Sequence, residues 1–254
     1  MNHNWMPLPR YLLRKNLVIQ VLKKHLPESK SCLEIGYGPG DMLIEFSKMG
    51  LDTFGFDFSY EAYVETKKRI KRCSSVIRER IKLFTHEKEM GFLRYDFIIA
   101  LEVLEHVKED EAMLANINTC LKKKGLLIFS VPAHKSKWGE NDLWAGHYRR
   151  YEKNEIAEKL VSNKFEPLHI WSYGYPLILL LDLLIHRNRK KDLTSLIGIS
   201  KEALTKQSGI KRKNNFINRM ASWKIWVFPF FLLQKLFLNA DLSSAILVIA
   251  RKKD

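Results

Sequence analysis

Three glycines at alternate positions, Gly36, Gly38 and Gly40, follow the run Cys32-Leu33-Glu34-Ile35. Glycine accepts positive φ and lets a ligand approach the backbone, so a ligand is expected to lie across this turn. A dinucleotide fingerprint counted from Gly36 needs glycine at position 41, where Asp41 stands, and no Gly-Lys-Ser/Thr follows to cradle phosphates. NAD, FAD and nucleoside triphosphates are therefore disfavoured. Asp57 lies roughly 20 residues beyond the glycines, where an acid ending the second strand can accept hydrogen bonds from both hydroxyls of a ribose.

Proton and anion chemistry gathers further on. Leu101-Glu102-Val103-Leu104-Glu105-His106 closes an apolar run, and His106 is a general-base candidate because imidazole titrates near neutrality. Its alternative role is to cap the next helix. The loop after Pro132 carries His134, Trp138, Glu140, Asp142 and then His147-Tyr148-Arg149-Arg150-Tyr151. Long loops on a rigid scaffold commonly carry function. His147 is the second base candidate. Arg149 or Arg150 suits a phosphate or carboxylate, with Tyr148 and Trp138 beside it as substrate contacts. Both arginines are equally suited to pair with Glu152 or Glu155. His134, Glu140, Asp142 and His147 match no recognised ligand spacing, and no metal is expected.

These residues need a framework. Leu12, Leu13, Leu17, Val18, Val21 and Leu22 recur at helical spacing before Pro27, giving an amphipathic leading helix over 1–30. Arg10, Arg14 and Lys15 on it are expected either to face solvent or to meet an acidic substrate. Ser59 is placed to cap a helix after the strand Thr53-Phe54-Gly55-Phe56. Asp96–Leu101 and Leu126–Val131 read as central parallel strands covered on both faces. Between them a helix from about Asp110 is expected to end on Lys122, Lys123 and Lys124, with Gly125 as its cap. Strands alternating with helices predict a doubly wound, mostly parallel α/β sheet with its ligand at the strands' carboxyl ends.

Composition narrows the partners. The 254 residues carry a net charge of +15, which favours anionic partners. Three widely spaced cysteines argue for neither a disulfide nor zinc, and the basic, proline-containing start lacks the apolar core of a signal peptide. A cytoplasmic location is expected.

Glu34-x-Gly36-x-Gly38-x-Gly40, Asp57, Glu102 to Val107 and Val131-Pro132, in that order, resemble the class I S-adenosylmethionine (SAM) dependent methyltransferases of small-molecule, lipid and glycan pathways. The resemblance covers about Cys32 to Pro132, and loosely extends to Tyr173. It implies a Rossmann-like sheet with an antiparallel last strand, SAM as cofactor, and Glu34, Gly36, Gly38, Gly40, Asp57, Leu101 and Glu102 around it. The family's usual acid near adenine is replaced by Thr85-His86-Glu87. The Gly146-His147-Tyr148-Arg149-Arg150-Tyr151 run is similar, more weakly, to methyltransferases of bacterial surface glycan and lipid pathways.

The core then spans 31–173 and closes with a last strand within 243–254. Residues 174–242 form a helical insertion between the two strands of the terminal hairpin. Its apolar stretches, Pro176–Ile185 and Trp223–Leu238, are too short and interrupted to span a bilayer. Between them Arg187 to Lys224 carries a net charge of +9. Such an element is expected to lie on an anionic membrane as a peripheral contact, to lid a substrate pocket, or both. The acceptor expected is a small-molecule or lipid-linked amphiphile with acidic groups. RNA methylation, or a non-catalytic SAM-binding module docked on a membrane, is the alternative.

Overall fold

The strongest apolar runs in the sequence lie at the centre of one seven-stranded sheet. The computed structural model describes residues 7–25, 30–186, 200–201, 204 and 224–253. The strands are β1 (Ser31–Ile35), β2 (Asp52–Phe56), β3 (Ile81–Phe84), β4 (Tyr95–Leu101), β5 (Leu121–Pro132), β6 (Phe165–Ser172) and β7 (Ala245–Lys252). Their order is β3-β2-β1-β4-β5-β7-β6. The first five pair in parallel, and β7 runs antiparallel between β5 and β6. The expected doubly wound sheet and its terminal hairpin are both present.

Helices cover the two faces. On one, α1 (Pro9–His25) and α2 (Asp41–Lys48) bury Leu17, Val18, Leu22 and Phe46 against Phe97, Ile99, Ile128 and Leu247. On the other, α5 (Asp110–Cys120) and α7 (Lys153–Ser162) pack Leu114, Ile117, Ile156 and Leu160 against Ile98, Leu127 and Phe129. Between β2 and β3 stand α3 (Tyr60–Lys71) and the short α4 (Ser75–Glu79), and the expected cap of α3 forms through the Ala62 amide and Ser59 Oγ at 3.2 Å. A short α6 (Glu140–Ala145) interrupts the loop after β5.

One expected boundary moves. α5 stops at Cys120, and Lys122, Lys123 and Lys124 open β5 instead of closing a helix. The left-handed residue is Lys124, at φ 60°. Gly125 answers to close packing, since an added Cβ would sit 2.9 Å from the Lys122 carbonyl oxygen. Lys122 bonds Asp96 at 2.9 Å, which ties the starts of β4 and β5.

The insertion contributes α8 (Leu177–His186) and α9 (Lys224–Leu233), whose inner residues Ile178 and Val227 pack on Leu12 and Leu13 of α1. Gln234 fixes this arrangement. Its side chain accepts from the Gly174 amide at 3.2 Å and donates to the Leu13 carbonyl at 3.3 Å. Leu179, Leu183, Trp226, Phe228 and Leu232 remain exposed on the outer side. No helix among the described residues is long and apolar enough to cross a membrane. The basic segment expected from 187 to 223 lies outside the described residues, apart from 200, 201 and 204.

Candidate functional site

The glycine turn at the carboxyl end of β1 takes the backbone that its residues permit. Gly36, Gly38 and Gly40 have φ of 71°, 52° and 69°. Space demands glycine at two of them. A Cβ on Gly36 would lie 2.5 Å from Val103 Cγ2, and one on Gly40 would lie 2.4 Å from Thr66 Cγ2. At Gly38 an added Cβ would meet nothing within 4 Å, so open space lies over the middle of the turn.

Asp57 closes one side of this cradle. Its carboxylate accepts from the Gly38 amide and from the Ser59 amide, each at 2.8 Å. Burial raises its pKa against these two bonds. A carboxylate has about four acceptor positions, so capacity remains for two ribose hydroxyls. Below the turn Glu34 is fully enclosed, with Oε2 lacking any hydrogen-bond partner, and burial followed by Asp41 and Asp57 pushes its carboxyl well above the ordinary range. The open cradle, left-handed glycines and half-used acid fit the adenosine half of SAM. The residues that would hold it are Gly36, Gly38, Gly40 and Asp57.

Arg10, Arg14 and Lys15 of α1 are each engaged by acids of the chain itself, Arg10 by Asp182 at 3.4 Å. Lys15 bonds Asp41 at 2.7 Å and Glu45 at 2.9 Å, while Arg10 donates to Ser244 Oγ at 2.8 Å. Tyr11 donates to Asp41 at 2.6 Å. Arg14 is buried and reaches Glu102 at 2.8 Å, Ser130 Oγ at 3.0 Å and the Tyr173 hydroxyl at 3.4 Å. Glu102 stands just past β4 with φ 58°. Burial works to raise its pKa, but Arg14 and then Ser130 outweigh it and hold the carboxyl below its ordinary range. Arg14 is the residue here that sequence reasoning misplaced. Its position among the buried faces of the leading helix was the available signal.

Beyond Glu102 the chain turns through a 3-10 segment, Leu104–His106, and brings two distant stretches together. The rings of His106 and His147 meet edge to face with centroids 4.7 Å apart. His147 Nδ1 lies 2.8 Å from Asp142 Oδ1, and its Nε2 lies 4.0 Å from Glu105 Oε1. Glu105 is completely buried, and neither of its carboxylate oxygens has a hydrogen-bond partner. Burial and then Glu102 push its pKa well above the usual range. His106 moves the other way. Burial, then His147, lowers it to about 4, while a hydrogen bond to the backbone of Gly146 opposes the shift. At neutral pH it is an uncharged imidazole.

The remaining candidates spread around this point. Arg149 pairs with Asp110 at 2.9 Å and donates to the Lys108 carbonyl, and Arg150 grips Asp142 with two contacts of 2.9 Å. Neither guanidinium is a spare anion receptor, and neither uses Glu152 or Glu155. Burial works against Asp142, but His147 and Arg150 more than offset it and keep the acid below its ordinary range. The Tyr148 amide donates to the Glu105 carbonyl at 2.7 Å, and Lys201 stands 4.2 Å from the centre of its ring. Trp138 is 40% exposed at the outer end of the loop. His134 turns away toward Glu152 and Asp241, at 3.4 and 3.8 Å. The carboxylate and imidazole groups that converge are thus Glu105, His106 and His147, with their ligand atoms all within 4.8 Å of one another. Glu105 was not singled out in the sequence, although it adjoins His106.

The fold is met in known proteins. Residues 8–167 match the sequence family described as methyltransferase domain. A ubiquinone biosynthesis O-methyltransferase of Rickettsia bellii is 25% identical over 121 residues, which are 47% of this chain and 50% of that protein. The chain therefore spans about half the length of these curated relatives. A carboxy-S-adenosyl-L-methionine synthase of Nautilia profundicola is 28% identical over 167 residues, covering 60% of this chain and 68% of that one. Among solved structures, the glycopeptide N-methyltransferase MtfA complexed with SAM aligns with a TM-score of 0.54 and 12% identity, over 94% of this chain and 93% of that one. The [4+2]-cyclase SpnF aligns at 0.58 with 15% identity, over 94% and 80%. At such identities the structures speak for the fold.

Proposed function

Because the chain belongs to the methyltransferase-domain family, we propose that it transfers a methyl group from SAM to a hydroxyl of an amphiphilic, acidic small-molecule or lipid-linked acceptor. The observation that carries this reading is the contact between the two halves of the site. The glycine turn abuts Val103, so the cofactor cradle opens beside the segment that ends in Glu105 and His106. Bound there, SAM supplies a methyl group already activated on a sulfonium, and the protein's task is mainly alignment and proton removal. Asp57 accepts from the ribose hydroxyls, and the glycine turn, whose amides donate to Phe56, Asp57 and Tyr37, lets the nucleoside approach the backbone closely. Asp142 accepts from His147 Nδ1–H, which selects the tautomer whose Nε2 lone pair faces Glu105 and can take the acceptor's proton. The similarity to the Rickettsia ubiquinone biosynthesis O-methyltransferase supports an oxygen acceptor on a lipid-like molecule.

The insertion supports an amphiphilic acceptor as well. Exposed Leu183, Trp226, Phe228 and Leu232 adjoin in sequence a stretch of net charge +9, a combination suited to the surface of an anionic membrane. Co-sedimentation with vesicles rich in phosphatidylglycerol, and not with phosphatidylcholine alone, is the expected result. Equal recovery without vesicles in the pellet refutes the contact.

The activity is tested by incubating the protein with methyl-labelled SAM and a lysate of the source organism, then separating lipid, RNA, protein and aqueous metabolites. Label in the lipid or metabolite fraction is expected. Label confined to RNA, or in no fraction, overturns the acceptor or the activity.

A further inference from the structure

We propose that Glu105, His106 and His147 form a binding site for a first-row divalent cation, on which the hydroxyl of the methyl acceptor is ligated. This deepens the methyltransferase reading and rests on it. Three independent features point to the site. Glu105 is a fully buried carboxylate without a hydrogen-bond partner on either oxygen, which is costly unless a cation or proton satisfies it. Two imidazoles converge on it, and the three ligand atoms lie within 4.8 Å of one another. Metal–ligand bonds of about 2.1 Å place tetrahedral ligands roughly 3.4 Å apart, so the 4.0 Å between His147 Nε2 and Glu105 Oε1 needs only a small closure.

The surroundings are those of coordinating histidines. A histidine that binds a metal through one nitrogen normally donates its other N–H to a carboxylate or carbonyl, which fixes tautomer and ring orientation. Here His147 Nδ1 is held by Asp142, and His106 bonds the backbone of Gly146. Arg150 holds Asp142 in turn, with two contacts of 2.9 Å. Two imidazoles and one carboxylate form a set suited to Zn²⁺ and related ions, with coordination positions left for oxygen ligands. Glu102, three residues before Glu105, is committed to Arg14 and Ser130 and stays outside the set.

The cation changes how the acceptor is activated. A hydroxyl ligated to a divalent ion ionises near neutral pH, so His147 serves as a ligand and the proton passes to water. The oxygen's electron pair then forms the bond to the methyl carbon as the carbon–sulfur bond breaks, and that bonding pair stays on sulfur. The products are the methyl ether, the thioether S-adenosylhomocysteine and one proton. An acceptor with two adjacent oxygens, such as a catechol, fills two open positions at once.

The test reads metal directly. Wild-type protein is dialysed against chelator and then against metal-free buffer. Mn²⁺ is titrated with the free ion followed by electron paramagnetic resonance, and Zn²⁺ is used to displace it. SAM affinity is measured on the same samples by calorimetry. One Mn²⁺ per chain, displaced by Zn²⁺, is expected. Glu105→Gln and His147→Ala weaken it at least 100-fold, and Asp142→Asn, acting through His147, weakens it 10- to 100-fold. His134→Ala leaves it unchanged. Retained SAM affinity shows that each variant is folded. Absence of stoichiometric binding by the wild type, or equal binding by Glu105→Gln and His147→Ala, overturns the metal site and leaves the methyltransferase reading intact. Loss of SAM binding by the wild type overturns that reading instead.

Discussion

Replacing Arg14 by methionine removes a buried cation while keeping most of its apolar stem. Only 10% of the Arg14 side chain and 27% of that of Glu102 are exposed, so the carboxylate left behind has limited access to water. Removing one partner of a buried ion pair costs about 3–5 kcal/mol. The partial exposure of Glu102 and its remaining bond to Ser130 at 2.7 Å place the cost near the lower end, about 3 kcal/mol. For a chain of this size that lowers Tm by roughly 6–12 °C. The pH dependence carries a sign. In the wild type Glu102 is held below its ordinary pKa, so its contribution is present above about pH 4.5 and fades as the pH falls through the folded value. In Arg14→Met the largest counterweight to burial is gone, which moves that carboxyl upward, so the penalty grows as the pH climbs above about 4.5. Urea denaturation of both proteins at pH 5.5 and 8 measures the gap, which is expected to be wider at pH 8. Adding Glu102→Gln to Arg14→Met should recover most of the loss. A cost below about 1 kcal/mol at pH 8, or a gap that narrows as the pH rises, refutes the argument.

Other perturbations separate the parts of the site. Asp57→Ala removes the acceptor for the Gly38 amide and for the ribose, and SAM affinity by calorimetry should fall at least 10-fold, about 1.4 kcal/mol. Gly40→Ala drives a Cβ to 2.4 Å from Thr66 in a left-handed backbone, and the thermal midpoint should drop; pairing it with Thr66→Ser, which removes the clashing methyl, should return part of the loss. Glu34 has a raised folded pKa, so the ligand-free protein should lose stability as the pH rises above about 4.5, and Glu34→Gln should flatten that slope in melts between pH 5 and 9.

The legible parts of the molecule were those encoded over short distances. The glycine turn, the Ser59 cap and the apolar strands announce themselves within a few residues, and Asp57 follows from the length of one helix and one strand. Lys122 to Lys124 misled because a basic run before glycine satisfies a helix end and a strand entrance equally. The deciding contact is with Asp96, on a neighbouring strand. Arg14 and Glu102 are 88 positions apart in the chain, and Glu105 and His147 are 42 apart. No periodicity links such pairs. Arg149 and Arg150 suit carboxylates, as their type implies, but the acids that claim them are internal, Asp110 and Asp142.

The packing of α1 has a consequence for synthesis. This helix leaves the ribosome before almost everything it rests on. Arg10 bonds Ser244, 234 positions later, and the Leu13 carbonyl awaits Gln234. At 5–20 residues per second, Leu12 and Leu13 wait for Ile178 and Val227 for roughly 10–50 s. The docking of this helix is thus completed late. A nascent chain stopped before α8 leaves Leu12 and Leu13 without their seat, a natural handle for a holding chaperone and a liability for any product truncated there.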